Sequence, residues 1–97
     1  MTRLVLTRQA RADLDEIWFY VAQDGVEAAD RLVDRIFEKC GLIAGSPQIG
    51  RERPEIAAGV RSFPVGSSLI FYHEKDGTAF VDRVLSGYRD LLAAFDE

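Results

Sequence analysis

Arg61, Arg83 and Tyr72 are the side chains of this sequence that could gather into a charged centre. Two guanidinium groups can neutralise charge developing on a phosphate or carboxylate. Cleaving a phosphodiester without a metal also needs a base and an acid. A tyrosine is a poor base near neutrality unless its pKa is pulled down. His73 is the single histidine. By the strand counting below it falls on the opposite face from the arginines, near a strand end, and reads as a structural or surface residue. Cys40, the one cysteine, cannot form an internal disulfide. It occupies an apolar helical position and reads as a buried thiol. No metal motif, glycine-rich phosphate loop or nucleophile elbow appears, so no cofactor and no metal are expected.

The elements that must position these residues follow from pattern. Arg3-Leu4-Val5-Leu6 reads as a first strand. Thr7 then caps a helix with apolar residues at Ala10, Leu14, Ile17, Trp18 and Val21, while Asp13, Asp15, Glu16 and arginines fill its other side. Gln23-Asp24-Gly25 ends it, with Gly25 as a left-handed cap. A second helix from Val26 to about Ala44 carries the stripe Ala29, Leu32, Val33, Ile36, Phe37, Cys40 and Ile43, its charged residues alternating in sign on a solvated face. Gly45-Ser46-Pro47 stops it, and the two helices form an antiparallel hairpin. Residues 48–59 read as a loop with one short turn at 55–58. Three strands follow, at 60–65, 68–73 and 78–85, joined at Gly66-Ser67 and Asp76-Gly77. Leu69-Ile70-Phe71-Tyr72 suggests a central strand covered on both faces. Residues 88–95 read as a short terminal helix. The fold class is α+β: a strand, a helical hairpin, then a three-stranded antiparallel meander in one sheet.

If both hairpins use two-residue loops, opposed residues follow by counting. Arg61 then faces Tyr72, Phe63 faces Ile70, His73 faces Phe80 and Phe71 faces Asp82. Because side chains alternate, one face carries Arg61, Phe63, Ile70, Tyr72, Val81, Arg83 and Leu85. The other carries Val60, Leu69, Phe71, His73, Phe80, Asp82 and Val84. The second set has more aromatic weight and is expected to pack on the helices. The first set would then face outward and expose more aliphatic surface than a monomer usually leaves bare, so a partner is expected to cover it. Pro64, lacking an N–H, makes the 60–65 strand an edge.

A chain of 97 residues with 47% hydrophobic and 29% charged side chains fits one soluble domain spanning 1–97. The net charge of −4 is shared equally between residues 1–45 and 46–97, so neither half is drawn as a whole to nucleic acid or to an anionic membrane. Direct nucleic-acid binding is therefore not expected. No signal peptide or membrane-length apolar run is present, so the cytoplasm is the expected compartment.

Ala12-Asp13-Leu14-Asp15-Glu16-Ile17-Trp18-Phe19-Tyr20 resembles the first helix of the ParE/RelE toxin superfamily. Ser46-Pro47-Gln48-Ile49-Gly50-Arg51, Gly59-Val60-Arg61-Ser62, Ile70-Phe71-Tyr72 and Arg83-Val84-Leu85-Ser86-Gly87 resemble its later blocks, in order, and the likeness is closer to the ParE branch. The resemblance implies a type II toxin neutralised by a small ParD-like antitoxin. It implies DNA gyrase as the target of ParE-like members, bound without catalysis, and messenger RNA cleavage on the ribosome for RelE-like members. In a nuclease of the second kind, Arg61, Arg83 and Tyr88 would stand at catalytic positions. Against that, Arg51-Glu52-Arg53-Pro54-Glu55 is self-neutralised where RelE-type nucleases have a lysine-rich loop, and Ser86 replaces a frequent histidine. The bland reading of Arg61 and Arg83 is ion pairing, with their stems packed on the sheet. A third possibility is a non-toxic member that only binds an antitoxin.

Overall fold

The computed structural model describes residues 3–86. Strand β1 (Arg3–Leu6) leads into helix α1 (Arg8–Ala22), and helix α2 (Val26–Gly45) follows after Gln23–Gly25. A single 3₁₀ turn (Pro47–Ile49) and the two-residue strand β2 (Arg51–Glu52) come next. The strands β3 (Arg61–Val65), β4 (Ser68–Lys75) and β5 (Thr78–Ser86) complete the described chain. The five strands form one sheet in the order β1-β5-β4-β3-β2. Neighbours in β3, β4 and β5 run antiparallel, whereas β1 lies parallel to β5. This agrees with the α+β expectation. The expected helix at 88–95, Tyr88 within it, lies outside the described residues.

Local chemistry explains the element ends. Thr7 caps α1: its Oγ1 accepts the Ala10 N–H at 3.1 Å and donates to the Asp82 carbonyl at 3.0 Å, so one hydroxyl starts the helix and ties it to β5. Gly25 is not a left-handed cap of α1. Its φ of 173° is extended, and it serves instead as the N-cap of α2. Gly66 (φ 59°) begins the β3–β4 turn, and Asp76 and Gly77 (φ 52° and 77°) make the β4–β5 turn. These are the positive angles that two-residue hairpin loops require.

The β3–β4 register is the one expected: Arg61 opposite Tyr72, Phe63 opposite Ile70, Val65 opposite Ser68. In β4–β5 it holds only near the turn. Pairing steps from Tyr72↔Val81 to Phe71↔Arg83, leaving Asp82 as the extra residue of a β-bulge. Beyond it the parity of β5 reverses, so Val84 rather than Arg83 lies opposite Ile70.

The helices pack on the face expected to be open. Ile70, Tyr72 and Val81 are fully buried in one cluster with Ala10, Leu14 and Ile17 of α1 and Ile36, Cys40 and Ile43 of α2. Phe71 and Leu85 are also buried but belong to the opposite face. The expected outward surface of Ile70, Tyr72, Val81 and Leu85 is therefore absent. Aromatic weight was a poor guide because a tyrosine enters a core readily once its hydroxyl has partners. β4 is covered on both faces, as its apolar run suggested. β3 is an edge only past Ser62: β2 pairs with Arg61 and Ser62 and stops before Pro64.

Candidate functional site

Of the seven residues expected at a partner face, Arg61 and Phe63 stay half-buried on the helix side of the sheet. The two arginines do not converge. Arg61 lies opposite Tyr72, whereas the bulge sends Arg83 to the side of Phe71. Each guanidinium has its own set of partners.

Arg61 holds the Pro47–Glu52 segment. Its Nη1 donates to the Gly50 carbonyl at 2.8 Å and to the Gln48 carbonyl at 3.3 Å, and Nη2 reaches Glu52 at 3.5 Å. Tyr72 works from beneath: its hydroxyl donates to the Pro47 carbonyl at 2.6 Å and accepts the Gly50 N–H at 2.8 Å. Burial pushes the Tyr72 phenol above its ordinary value of 10.0, more than the Gly50 N–H and the Arg61 charge pull it down. Tyr72 is therefore no base at neutral pH. Gly50 is needed here for space, not for backbone angle. A Cβ there would sit 2.5 Å from the Tyr72 hydroxyl and 2.9 Å from the Ser62 carbonyl. Arg53 adds a hydrogen bond from Nε to the Ser62 hydroxyl at 2.7 Å. The motif Ser46–Arg51 is thus a turn fastened to β3 and β4, with Gln48, Ile49 and Arg51 exposed at its tip.

Arg83 is held by a residue that sequence reasoning placed on the solvated side of α1. Asp13 is only 6% exposed. Its carboxylate accepts Arg83 Nε at 2.8 Å and Nη2 at 3.1 Å, and also the Val84 N–H at 2.9 Å. Past Leu6, no strand among the described residues pairs with β5 on its β1 side. Asp13 satisfies the backbone donor of Val84 there, and Arg83 compensates the carboxylate. The clue was present: Asp13 falls in the stripe Ala10, Leu14, Ile17 at helical spacing, and a carboxylate on an apolar stripe requires a buried partner.

His73 pairs with Asp82 at 2.8 Å and stacks on Phe80 at 5.2 Å between ring centroids, away from Arg61, as the register implied. Burial raises the Cys40 thiol from 9.0 to about 11, in keeping with an inert core cysteine. Among the described residues no three His, Cys, Asp or Glu side chains come together as a metal site. No helix there is long and apolar enough to cross a membrane. The described arrangement thus offers two fixed cations, each neutralised or bonded locally.

The apolar surface lies elsewhere. Phe19, Tyr20 and Val26 are exposed where α1 meets α2. Leu6, Trp18, Val33 and Phe37 line a groove between the helices that opens beside β1, with Arg11 and Asp15 at its rim. Trp18 keeps its indole N–H bonded to Asp30 at 2.8 Å, so it is part packing and part surface.

Comparison with known proteins agrees with this architecture. Residues 4–91 match the family model described as ParE toxin of type II toxin-antitoxin system, parDE. Toxin ParE3 of Caulobacter vibrioides is 29% identical over 94 residues, 96% of this chain and 94% of the relative. Toxin ParE1 of the same organism is 38% identical over 68 residues, 69% of this chain and 71% of the relative. A chain in the solved chromosomal ParDE TA system from P. aeruginosa superimposes with a TM-score of 0.77 at 28% identity, covering 91% of this chain and 98% of that one. With its sheet order, helical pair and matched span, this chain belongs to the ParE toxin family of type II toxin–antitoxin systems.

Proposed function

We propose that the protein is a toxin that inhibits DNA gyrase by binding it, without catalysis of its own, and that a ParD-like antitoxin neutralises it by covering part of its surface. Family membership supports the toxin role. The observation that favours binding over cleavage is the separate engagement of the two arginines: Arg83 by the buried carboxylate of Asp13, and Arg61 by main-chain carbonyls of residues 48 and 50. A nuclease needs its cations turned toward a shared phosphate. Exposed apolar side chains on the helices, Phe19 and Phe37 among them, supply surface for protein partners. The expected site in the cytoplasm suits both partners.

Purified protein added in parallel to a gyrase supercoiling reaction and to a translation reaction tests this. Loss of supercoiling with translation intact is the expected result. Message cleavage in the translation reaction, with gyrase untouched, would instead establish the endoribonuclease reading. Growth unaffected by induced expression without the antitoxin would identify a member that only pairs.

A further inference from the structure

The corner where α1 hands over to α2 exposes an aromatic cluster. Tyr20, Phe19 and Val26, at 74%, 68% and 54%, are the most exposed large hydrophobic side chains of the described residues. The core does not require them there. The buried side of α1 is built on Ala10, Leu14 and Ile17, and Phe19 and Tyr20 stand off that stripe. The cluster is also held in shape. Trp18 meets Phe19 edge to face, with ring centroids 5.3 Å apart and planes at 90°, and its indole N–H is bonded to Asp30 of α2. Aromatic side chains fixed in this way lose little freedom when a partner covers them, which is what makes strong contact residues in protein interfaces.

The sequence that builds this corner carries one sign of charge. Between Arg11 and Arg31 stand six acidic residues and no lysine, arginine or histidine. Asp13 is spent on Arg83. Among the described residues Asp24 and Glu27 form no ion pair, and Asp30 accepts only the neutral Trp18 N–H. Helix stability does not explain the placement. A helix favours acids in its first turn and bases in its last. Helix α1 has neither: Arg8 and Arg11 stand near its start and Asp24 just beyond its end. Of the three exposed acids at the corner, only Glu27, in the first turn of α2, sits where the helix dipole favours it.

We propose that this corner docks a positively charged segment of the toxin's target protein. This rests on the reading of the chain as a toxin that acts by binding gyrase. Lysine and arginine stems lie across Phe19, Tyr20 and Val26, where a guanidinium also finds aromatic faces, and their charged heads meet Asp24, Glu27 and Asp30. The same carboxylates repel nucleic acid, so the occupant is a protein.

Titration of labelled toxin with purified gyrase, and separately with the antitoxin encoded beside it, tests the proposal. Two double variants are altered only at exposed positions: Phe19→Ser with Tyr20→Ser, and Asp24→Lys with Glu27→Lys. The first is expected to raise the Kd for gyrase about tenfold or more. The second is expected to raise it about tenfold at low salt, with the gap closing as salt rises. The Kd for the antitoxin stays at the wild-type value in both, which also shows that the variants are folded. Gyrase bound by both variants as tightly as by the wild type overturns the assignment of the corner and leaves the gyrase reading standing. Wild-type toxin that does not bind gyrase removes that reading and this one with it. Affinity lost only in the aromatic variant overturns the cationic character of the partner. Binding of the antitoxin weakened in parallel gives the corner to the antitoxin and overturns the choice of occupant. Self-association of the toxin that either variant abolishes gives it to a second copy, with the same consequence.

Discussion

Arg83 and Arg61 occupy the same sheet and do opposite kinds of work. Arg83 is 12% exposed in its side chain and faces a carboxylate that is 7% exposed, so both charges have left water together. Their bond joins α1 to β5, elements at opposite ends of the described chain. Arg61 is more open, at 27%, and binds neutral carbonyls of a nearby turn, with Glu52 only at the edge of reach. The first arrangement fixes how helix and sheet dock. The second shapes one surface turn and leaves much of its charge in solvent. An arginine's contribution to stability here depends on what is stranded when it is removed, not on the number of its bonds.

Breaking the buried pair is expected to cost most. Asp13→Ala removes the buried carboxylate that accepts from Arg83 and from the Val84 N–H, and should lower unfolding free energy by about 3–5 kcal/mol in denaturant titration. A loss below about 1 kcal/mol would place Arg83 among the surface ion pairs instead. Gly50→Ala comes next. Its methyl collides with the Tyr72 hydroxyl and the Ser62 backbone, and overpacking of this kind costs about 1–3 kcal/mol. Arg61→Ala should be milder, about 1–2 kcal/mol, because the freed carbonyls can turn to water. Equal losses for Asp13→Ala and Arg61→Ala would erase the distinction drawn above.

The smallest effect is a pH dependence. Tyr72 and Cys40 both have folded-state pKa values raised by burial. Each therefore stabilises the fold fully below its unfolded value, and that contribution is lost as pH rises toward the folded value. For Cys40 the window runs from 9.0 to about 11. For Tyr72 it opens above 10.0. Thermal melts between pH 8 and 11 (a range of about the ordinary thiol and phenol pKa values) should show a falling Tm. The fall should be shallower in Tyr72→Phe, which is also less stable at neutral pH through loss of the Pro47 hydrogen bond. An identical slope in that variant would remove Tyr72 from the account.

Much of the fold was legible in the sequence because its rules are local. Gly66-Ser67 and Asp76-Gly77 announced their turns, and counting from them gave the whole β3–β4 register. What failed was parity. Nothing in the run Val81-Asp82-Arg83-Val84 marks a bulge: it has no glycine, and the extra residue is accommodated where Thr7 holds the Asp82 carbonyl from another element. That long-range bond could not be read from a pattern of neighbours. The assignment of faces failed for a related reason. Tyr72 belongs to the core because Pro47 and Gly50 satisfy its hydroxyl, and those partners come from a segment that read only as loop. The candidate site was legible as a concentration of arginines around Ser46–Tyr72, but their partners were not.

The parallel pairing of β1 with β5 has a consequence for how the protein comes into being. Among the described residues β1 has no partner in the sheet until β5 has been made: Thr7 and Asp82, which tie the two strands, are 75 residues apart. Contacts so distant in sequence form late. Asp13 must likewise wait for Arg83. A nascent chain therefore cannot join β1 to the sheet until β5 has been translated, and any molecule that recognises the assembled five-stranded sheet must wait for that event.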